Sequence, residues 1–199
     1  QAIMYDINTG HKFLDVGVFG LSRIGSELSR NGASAQAFGL FTKKGENSFG
    51  VMVDSLKVTT LWEILPVQSD IYAKSHGSHN HHLQGGYASW ILEDVAGLRP
   101  VEENPGFKTV MFYPRHTADL EWAKATVDTR YGVTSTSWRK EAGKLVWDIV
   151  IPAGADGLVH IPEGKKATVD GEAVSFGIKS LNGEDVQVFP SGSYHIVVE

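Results

Sequence analysis

The chain has 199 residues, enough for one domain or two small ones with a real core, and its 42% hydrophobic and 21% charged residues are typical of a soluble globular protein. Its 18 Lys and Arg against 23 Asp and Glu give a net charge of -5, without a basic run that follows a phosphate backbone. No apolar run approaches the roughly 20 residues that span a bilayer. We therefore expect neither nucleic acid nor a membrane as a partner, while the compartment stays unassigned.

The first half of the chain has the period of helices. Apolar residues recur at three- and four-residue steps between Leu21 and Leu28, and Gly32 supplies a C-terminal stop. A second short helix is predicted over residues 33–42. A third is predicted from a continuous apolar stripe that stops before Gly97 and consists of Leu83, Tyr87, Trp90, Ile91 and Val95.

After Pro100 the apolar period changes to two. Short β-branched runs are separated by turn signals such as Asp170-Gly171 and Asn182-Gly183, which favour hairpin turns because both central residues of a type I′ turn need positive φ. About seven such runs predict an antiparallel β-sandwich or barrel. The linker composition of residues 98–105 places a boundary there, so we expect helices over 1–97 and β-structure over 98–199.

The helical half does not resemble a self-contained bundle. Its three or four predicted helices are short, rich in Gly and irregularly joined, without whole apolar faces. Two interpretations follow from this pattern. Either these helices pack on the β-structure and stop there, or they are the last helices of a larger helical domain that begins outside this chain.

Four of the eight histidines lie within the seven residues HGSHNHH, from His76 to His82. A zinc site requires three or four ligands converging on one ion, whereas Gly77 and Ser78 favour a loop and few carboxylates lie nearby in sequence. The alternatives are solvated histidines, or the wall of a polar pocket where Asn80 and one or two histidines donate to an oxygen-rich ligand. The absence of cysteine excludes thiolate ligands. We expect no metal and no cofactor.

An aromatic residue stands beside a carboxylate just upstream, where Trp62 precedes Glu63 in KVTTLWEIL. In a sugar site an aromatic ring packs on the C–H face of the sugar, while a carboxylate holds a hydroxyl group or activates a water molecule. The pair therefore indicates a candidate sugar site. A core tryptophan beside a solvated glutamate is the ordinary alternative.

Several sequence blocks occur in a fixed order along the chain. TTLWE is followed by SHNHHLQGGYASWILEDVAGLRP, then by ENPGFK, and then by WAKATVDTRYG at Trp122–Gly132. These blocks resemble the C-terminal part of the bacterial α-L-rhamnosidases, a family of inverting glycoside hydrolases. The resemblance is collinear and runs from about Gly10 to about Pro162.

The resemblance implies a fold and a function. Residues 1–97 would be the closing helices of a catalytic (α/α)6 barrel, and residues 98–199 a C-terminal β-sandwich. The aspartate that serves as general acid would lie in a part of the barrel outside this chain. We therefore expect an inactive fragment whose partners are the missing N-terminal part of the same enzyme and a rhamnose-containing carbohydrate.

The family's motifs also imply roles for individual residues. Glu63, the last residue of TTLWE, would be the general base that activates the attacking water. Trp62 would hold the loop and line the sugar pocket, His81 would bind sugar hydroxyl groups, and Asn80 would cap the loop. The chain departs from the family at Ile64-Leu65, where Arg-Trp often follows. A non-catalytic carbohydrate-binding or accessory sandwich, and a metal-binding interaction domain, are the alternatives.

Overall fold

A computed structural model divides the chain into two units, residues 1–90 and 91–199. The structure describes residues 5, 7, 14, 16–45, 47–65, 76–115, 120–173, 177–181 and 184–199. Within these ranges, no helix has the length and apolar character needed to cross a membrane.

Among the described residues of the first unit are the α-helices α1 (Gly17–Arg30) and α2 (Ser34–Thr42). Helix α1 ends at the predicted stop, because Gly32 takes a left-handed φ of 76° and the next residue, Ala33, donates its N–H to the carbonyl of Leu28 over 2.8 Å. The unit also contains a π-helical turn (Val51–Ser55), a 3₁₀ segment (His82–Tyr87) and a short α turn (Ala88–Trp90).

Trp90 organises the packing in this unit. Its ring stacks on Phe41 with the centroids 4.8 Å apart, and its indole N–H donates to Ser29 Oγ over 2.8 Å. The ring lies against Gly25 of α1, where an added Cβ would be 2.6 Å from Trp90 Cγ. The absence of a side chain at Gly25 therefore makes room for the tryptophan.

The helix predicted from the apolar stripe is helical, but it is not one continuous α-helix. After the 3₁₀ segment and the α turn, residues Ile91–Val95 of the second unit form a π-helical turn. Gly85 and Gly86 weaken α-helical propensity at the start of the segment. Trp90 and Val95 of the stripe are buried, whereas Ile91 is 44% exposed.

The described residues of the second unit form two five-stranded sheets. The first has the order β1-β2-β6-β9-β8 and the second the order β3-β4-β5-β10-β7. The strands are β1 (Leu98–Pro100), β2 (Thr109–Phe112), β3 (Trp122–Thr129), β4 (Gly132–Glu141), β5 (Lys144–Ile151), β6 (Asp156–Val159), β7 (Ala167–Val169), β8 (Ile178–Leu181), β9 (Glu184–Phe189) and β10 (Gly192–Val198). The turn predicted at Asp170-Gly171 is present with φ of 52° and 86°, while Asn182-Gly183 lies outside the described residues.

The apolar core of this unit is shared by the two sheets, which is the arrangement of a β-sandwich. Trp138 and Trp147 of the second sheet are its largest fully buried side chains. Their indole N–H groups are satisfied, since Trp138 donates to the carbonyl of Val95 over 3.0 Å and Trp147 to Thr136 Oγ1 over 2.8 Å. Both tryptophans are therefore buried without an unsatisfied indole N–H.

One strand pair differs from the antiparallel prediction. Strands β2 and β6 pair in parallel, with Thr109 opposite Asp156 and Phe112 opposite Val159. Between them the chain runs through β3, β4 and β5 of the other sheet and returns to the first sheet in its original direction. A parallel pair requires such a crossover, which local turn signals do not reveal.

Candidate functional site

Two loop segments from the first unit lie side by side at the candidate site. The backbone N–H of Glu63 donates to the carbonyl of Ser78 over 2.8 Å, and that of His81 donates to the carbonyl of Leu61 over 2.9 Å. These bonds join residues 61–63 to residues 78–81. The TTLWE block and the histidine run are thereby neighbours in space.

The Glu63 side chain is held by the second segment. Ser78 donates its backbone N–H to Glu63 Oε2 over 2.9 Å, and Gln84 Nε2 donates to the Glu63 carbonyl over 2.5 Å. Gly77 completes the turn with a φ of 74°, and a Cβ there would lie 3.2 Å from Ile64 Cδ1 and 3.4 Å from Glu63 Oε2. Backbone conformation and close contact both favour glycine at this position.

Glu63 lines a cavity of about 280 Å³ in the first unit. Most of the wall is apolar, and Glu63, Gln84 and Asn47 supply its polar side chains. The lining residues are Leu14, Val16, Gly17, Leu21, Asn47, Glu63, Ile64, Leu65 and Gln84. A largely apolar wall with a few polar groups is the usual composition of a small-molecule site.

Trp62 is buried, with 9% of its surface exposed, and its ring stacks on His79 with centroids 4.1 Å apart and planes 12° apart. This contact joins the same two segments that the backbone hydrogen bonds join. Trp62 is not among the residues that line the 280 Å³ cavity. Trp62 therefore contacts the neighbouring loop segment and not the cavity.

His81 is half-buried beside the same segments. Its Nδ1 atom is buried without a hydrogen-bond partner in the described part of the chain, and its ring lies parallel to that of His82 at 5.5 Å. His81 does not line the 280 Å³ cavity, although its backbone N–H bonds to Leu61, two residues before Glu63.

The remaining histidines of the run, His76, His79 and His82, are exposed. Across the described ranges, no three His, Asp or Glu side chains are grouped so that they could hold a metal ion. The structure therefore supplies no geometry for the zinc interpretation of this run.

Gln84 was not singled out by the sequence analysis, although it contacts Glu63 and lines the cavity. It lies next to Leu83, the first residue of the predicted apolar stripe, and it is only 3% exposed. A polar side chain beside such a stripe and three residues after His81 is a weak signal. Only the fold brings it to Glu63.

Family models match the chain in two adjacent segments. The bacterial α-L-rhamnosidase 6 hairpin glycosidase domain matches residues 1–95, and the bacterial α-L-rhamnosidase C-terminal domain matches residues 97–176. The two models follow one another without overlap. Together they cover most of the chain.

Two curated relatives are α-L-rhamnosidases. The protein from Streptomyces avermitilis is 27% identical over 188 residues, which cover 93% of this chain and 18% of the relative. The protein from Formosa agariphila is 25% identical over 186 residues, covering 89% of this chain and 19% of the relative. The chain thus spans about a fifth of the length of the curated relatives it matches.

Two solved structures have the same fold over nearly the whole chain. The α-L-rhamnosidase from Dictyoglumus thermophilum has a TM-score of 0.85 and 27% identity, covering 100% of this chain and 22% of that one. The Streptomyces avermitilis enzyme, solved in complex with L-rhamnose, has a TM-score of 0.84 and 24% identity, covering 99% of this chain and 19% of that one.

Proposed function

Since the chain belongs to the bacterial α-L-rhamnosidase family, we propose that it forms the C-terminal part of a glycoside hydrolase that cleaves terminal α-L-rhamnosides with inversion. In this proposal the first unit supplies the closing helices of an (α/α)6 barrel, and the second unit is the C-terminal β-sandwich. The two family matches meet at residues 95–97, a few residues after the division between the units at residues 90 and 91. The remainder of the barrel belongs to a part of the enzyme outside these 199 residues.

Glu63 is the general base in this proposal. The observation that carries it is the position of Glu63, which lies on paired loops, lines a cavity and has its carboxylate oriented by the N–H of Ser78. A base must be held in a fixed orientation to take a proton from a water molecule that attacks the substrate. The N–H of Ser78 holds the Glu63 carboxylate and the side chain of Gln84 holds the Glu63 carbonyl, so both parts of the residue are restrained.

The proposed reaction uses one carboxylate of this chain as the base and one general acid from elsewhere in the enzyme. Glu63 takes a proton from water while the water oxygen bonds to the anomeric carbon, on the face opposite the leaving group. The glycosidic C–O bond breaks, its electron pair goes to the leaving oxygen, and a general acid outside this chain protonates that oxygen. The two carboxyl groups of an inverting site lie roughly 6.5–9.5 Å apart, which leaves room for this water.

His81 and Trp62 have supporting roles. A buried Nδ1 without a partner among the described residues suits a histidine whose ring nitrogen binds a sugar hydroxyl group. Trp62 stacks on His79 and keeps the two segments together, so that the base and His81 remain close.

Replacement of Glu63 by glutamine in the full-length enzyme tests this assignment. We expect Glu63→Gln to lower kcat on an aryl α-L-rhamnoside by roughly 10²–10⁴-fold, with KM and thermal stability little changed, because the amide does not accept the proton. The exposed Glu27 of α1 provides the matched control, Glu27→Gln, which should leave kcat unchanged. A near-normal kcat for Glu63→Gln places the base elsewhere.

A second candidate function is sugar binding by the β-rich unit without catalysis. Trp122 on β3 is 60% exposed, lies opposite Arg139 in the sheet, and has Lys124 Nζ 6.0 Å from the centre of its ring. An exposed indole flanked by cations offers a stacking surface and hydrogen-bond donors. If this surface binds sugar, Trp122→Ala abolishes retardation in a gel containing a rhamnose-rich polysaccharide, whereas Val133→Ala, also at an exposed position, does not.

A further inference from the structure

The side-chain amide of Gln84 has a hydrogen-bond partner for its NH₂ group but, among the described residues, none for its oxygen. The side chain is 3% exposed, and its Nε2 donates to the Glu63 carbonyl over 2.5 Å. Its Oε1 is buried and accepts no hydrogen bond from any described residue. A buried amide oxygen without a donor is costly, so native structures nearly always supply one.

The orientation of this amide follows from chemistry. The Glu63 carbonyl only accepts hydrogen bonds, so the NH₂ group of Gln84 must face it. Rotation of the amide by a half turn would bring two acceptors together. Oε1 of Gln84 is therefore directed away from the Glu63 backbone.

The surroundings of Gln84 indicate which kind of group donates a hydrogen bond to its Oε1. Gln84 and Glu63 line the same cavity of about 280 Å³, whose other side chains are apolar except for Asn47. This volume is close to the roughly 300 Å³ lower limit of small-molecule pockets, and it suits one sugar ring better than an extended chain. Hydroxyl groups are the donors that a sugar brings to such a site.

We propose that Gln84 is a substrate-binding residue whose Oε1 accepts a hydrogen bond from one hydroxyl group of the sugar bound beside Glu63. This inference rests on the proposed function of Glu63. Gln84 thereby holds the backbone of the base with its NH₂ group and the sugar with its oxygen. The apolar residues of the same wall, such as Ile64 and Leu65, suit the C–H faces and the methyl group of a 6-deoxy sugar.

The experiment combines substitutions with deoxygenated substrates in the full-length enzyme. The value of kcat/KM is measured for an aryl α-L-rhamnoside and for its monodeoxy analogues, each lacking one ring hydroxyl. In the wild type, one analogue should be a poorer substrate by roughly tenfold or more. Gln84→Met, which removes the amide at similar size, should lower kcat/KM for the parent by a similar factor and abolish discrimination against that one analogue.

Controls separate contact with the sugar from a structural role. Gln36→Met makes the same change on α2, outside the cavity. It should leave the ratio of kcat/KM between the parent and each analogue unchanged. Gln84→Glu keeps an acceptor of the same shape, but when ionised it no longer donates to the Glu63 carbonyl, so the overall rate should fall while discrimination against the same analogue is retained. If circular dichroism shows that Gln84→Met does not fold, Gln84→Glu provides the test instead. Loss of discrimination in Gln84→Glu then overturns the proposal.

The remaining outcomes are distinct. If Gln84→Met folds and lowers the rate on all substrates equally, so that no analogue is singled out, Gln84 only supports Glu63 and the inference is overturned, while the proposed function stands. If the wild-type enzyme does not hydrolyse the parent rhamnoside, the inference about Gln84 and the proposed function are both overturned.

Discussion

The backbone N–H of Ser78 donates a hydrogen bond to Glu63 Oε2 over 2.9 Å, although 15 residues separate the two in sequence. The bond orients the proposed base from a loop whose turn is made by Gly77, at a φ of 74°. Orientation of the carboxylate and backbone conformation of the loop are therefore linked.

Substitution of Gly77 tests this link. Gly77→Ala should cost about 1–2 kcal/mol of folding free energy because of the left-handed backbone. It should also lower kcat, because the new Cβ meets Ile64 and Glu63 Oε2 and displaces the Ser78 N–H. Thermal unfolding and initial rates on an aryl rhamnoside measure the two effects in the full-length enzyme.

Gly32 offers a matched control for this substitution. It has a nearly identical φ of 76°, but nothing lies within 4 Å of an added Cβ. Gly32→Ala should therefore lose similar stability and keep full activity. Equal kcat in the two variants would contradict a role of Gly77 in placing the base.

The 199-residue chain by itself should show no turnover. Protonation of the leaving group requires a general acid, which we place in another part of the enzyme. The measurement is nitrophenol release from an aryl α-L-rhamnoside by the purified chain, with the full-length enzyme as positive control. Release that also disappears in Glu63→Gln would show that the chain contains its own acid.

Gly25 should tolerate no side chain, because a Cβ would lie 2.6 Å from Trp90 Cγ. We expect Gly25→Ala to lower the free energy of unfolding by about 1–3 kcal/mol through overpacking. Gly39 of α2 has nothing within 4 Å, so Gly39→Ala should instead raise stability by about 0.5–1 kcal/mol through helix propensity. Denaturant unfolding followed by circular dichroism compares the pair, and a stabilised Gly25→Ala would refute the packing argument.

The pairing of Glu199 with Lys144 should make stability depend on pH. A hydrogen bond from Lys144 and the charge of that lysine hold the pKa of Glu199 below its ordinary value. The folded state therefore favours the carboxylate, and the contribution is present above the ordinary carboxyl pKa and lost as the pH falls through the lowered value.

Replacement of the lysine should remove this dependence. Lys144→Gln should reduce Tm slightly at about pH 6 and by less as the pH is lowered toward about 2, because protonation of the carboxylate removes the ion pair. Lys179, exposed on β8, serves as the control position with Lys179→Gln. A Tm difference for Lys144→Gln that is constant over this range would exclude the ion pair as its cause.

Local features of this protein were readable from its sequence. The end of α1 at Gly32 and the hairpin turn at Asp170-Gly171 follow from glycine and aspartate in positions that need positive φ. The change of apolar period from helical to alternating marked where β-structure begins. Ordered blocks such as TTLWE and SHNHH were sufficient to indicate the family.

Tertiary structure alone decided the features that depend on contacts between distant residues. The parallel pairing of β2 with β6 depends on a crossover through the other sheet. The roles predicted for Glu63, Trp62 and His81 remain predictions, but the fold determines that their segments pair through backbone hydrogen bonds, which every non-proline residue offers and no sequence pattern specifies. For the same reason Gln84 was not predicted: its contact with Glu63 joins residues 21 apart, and only the folded chain brings a side-chain amide to that carbonyl.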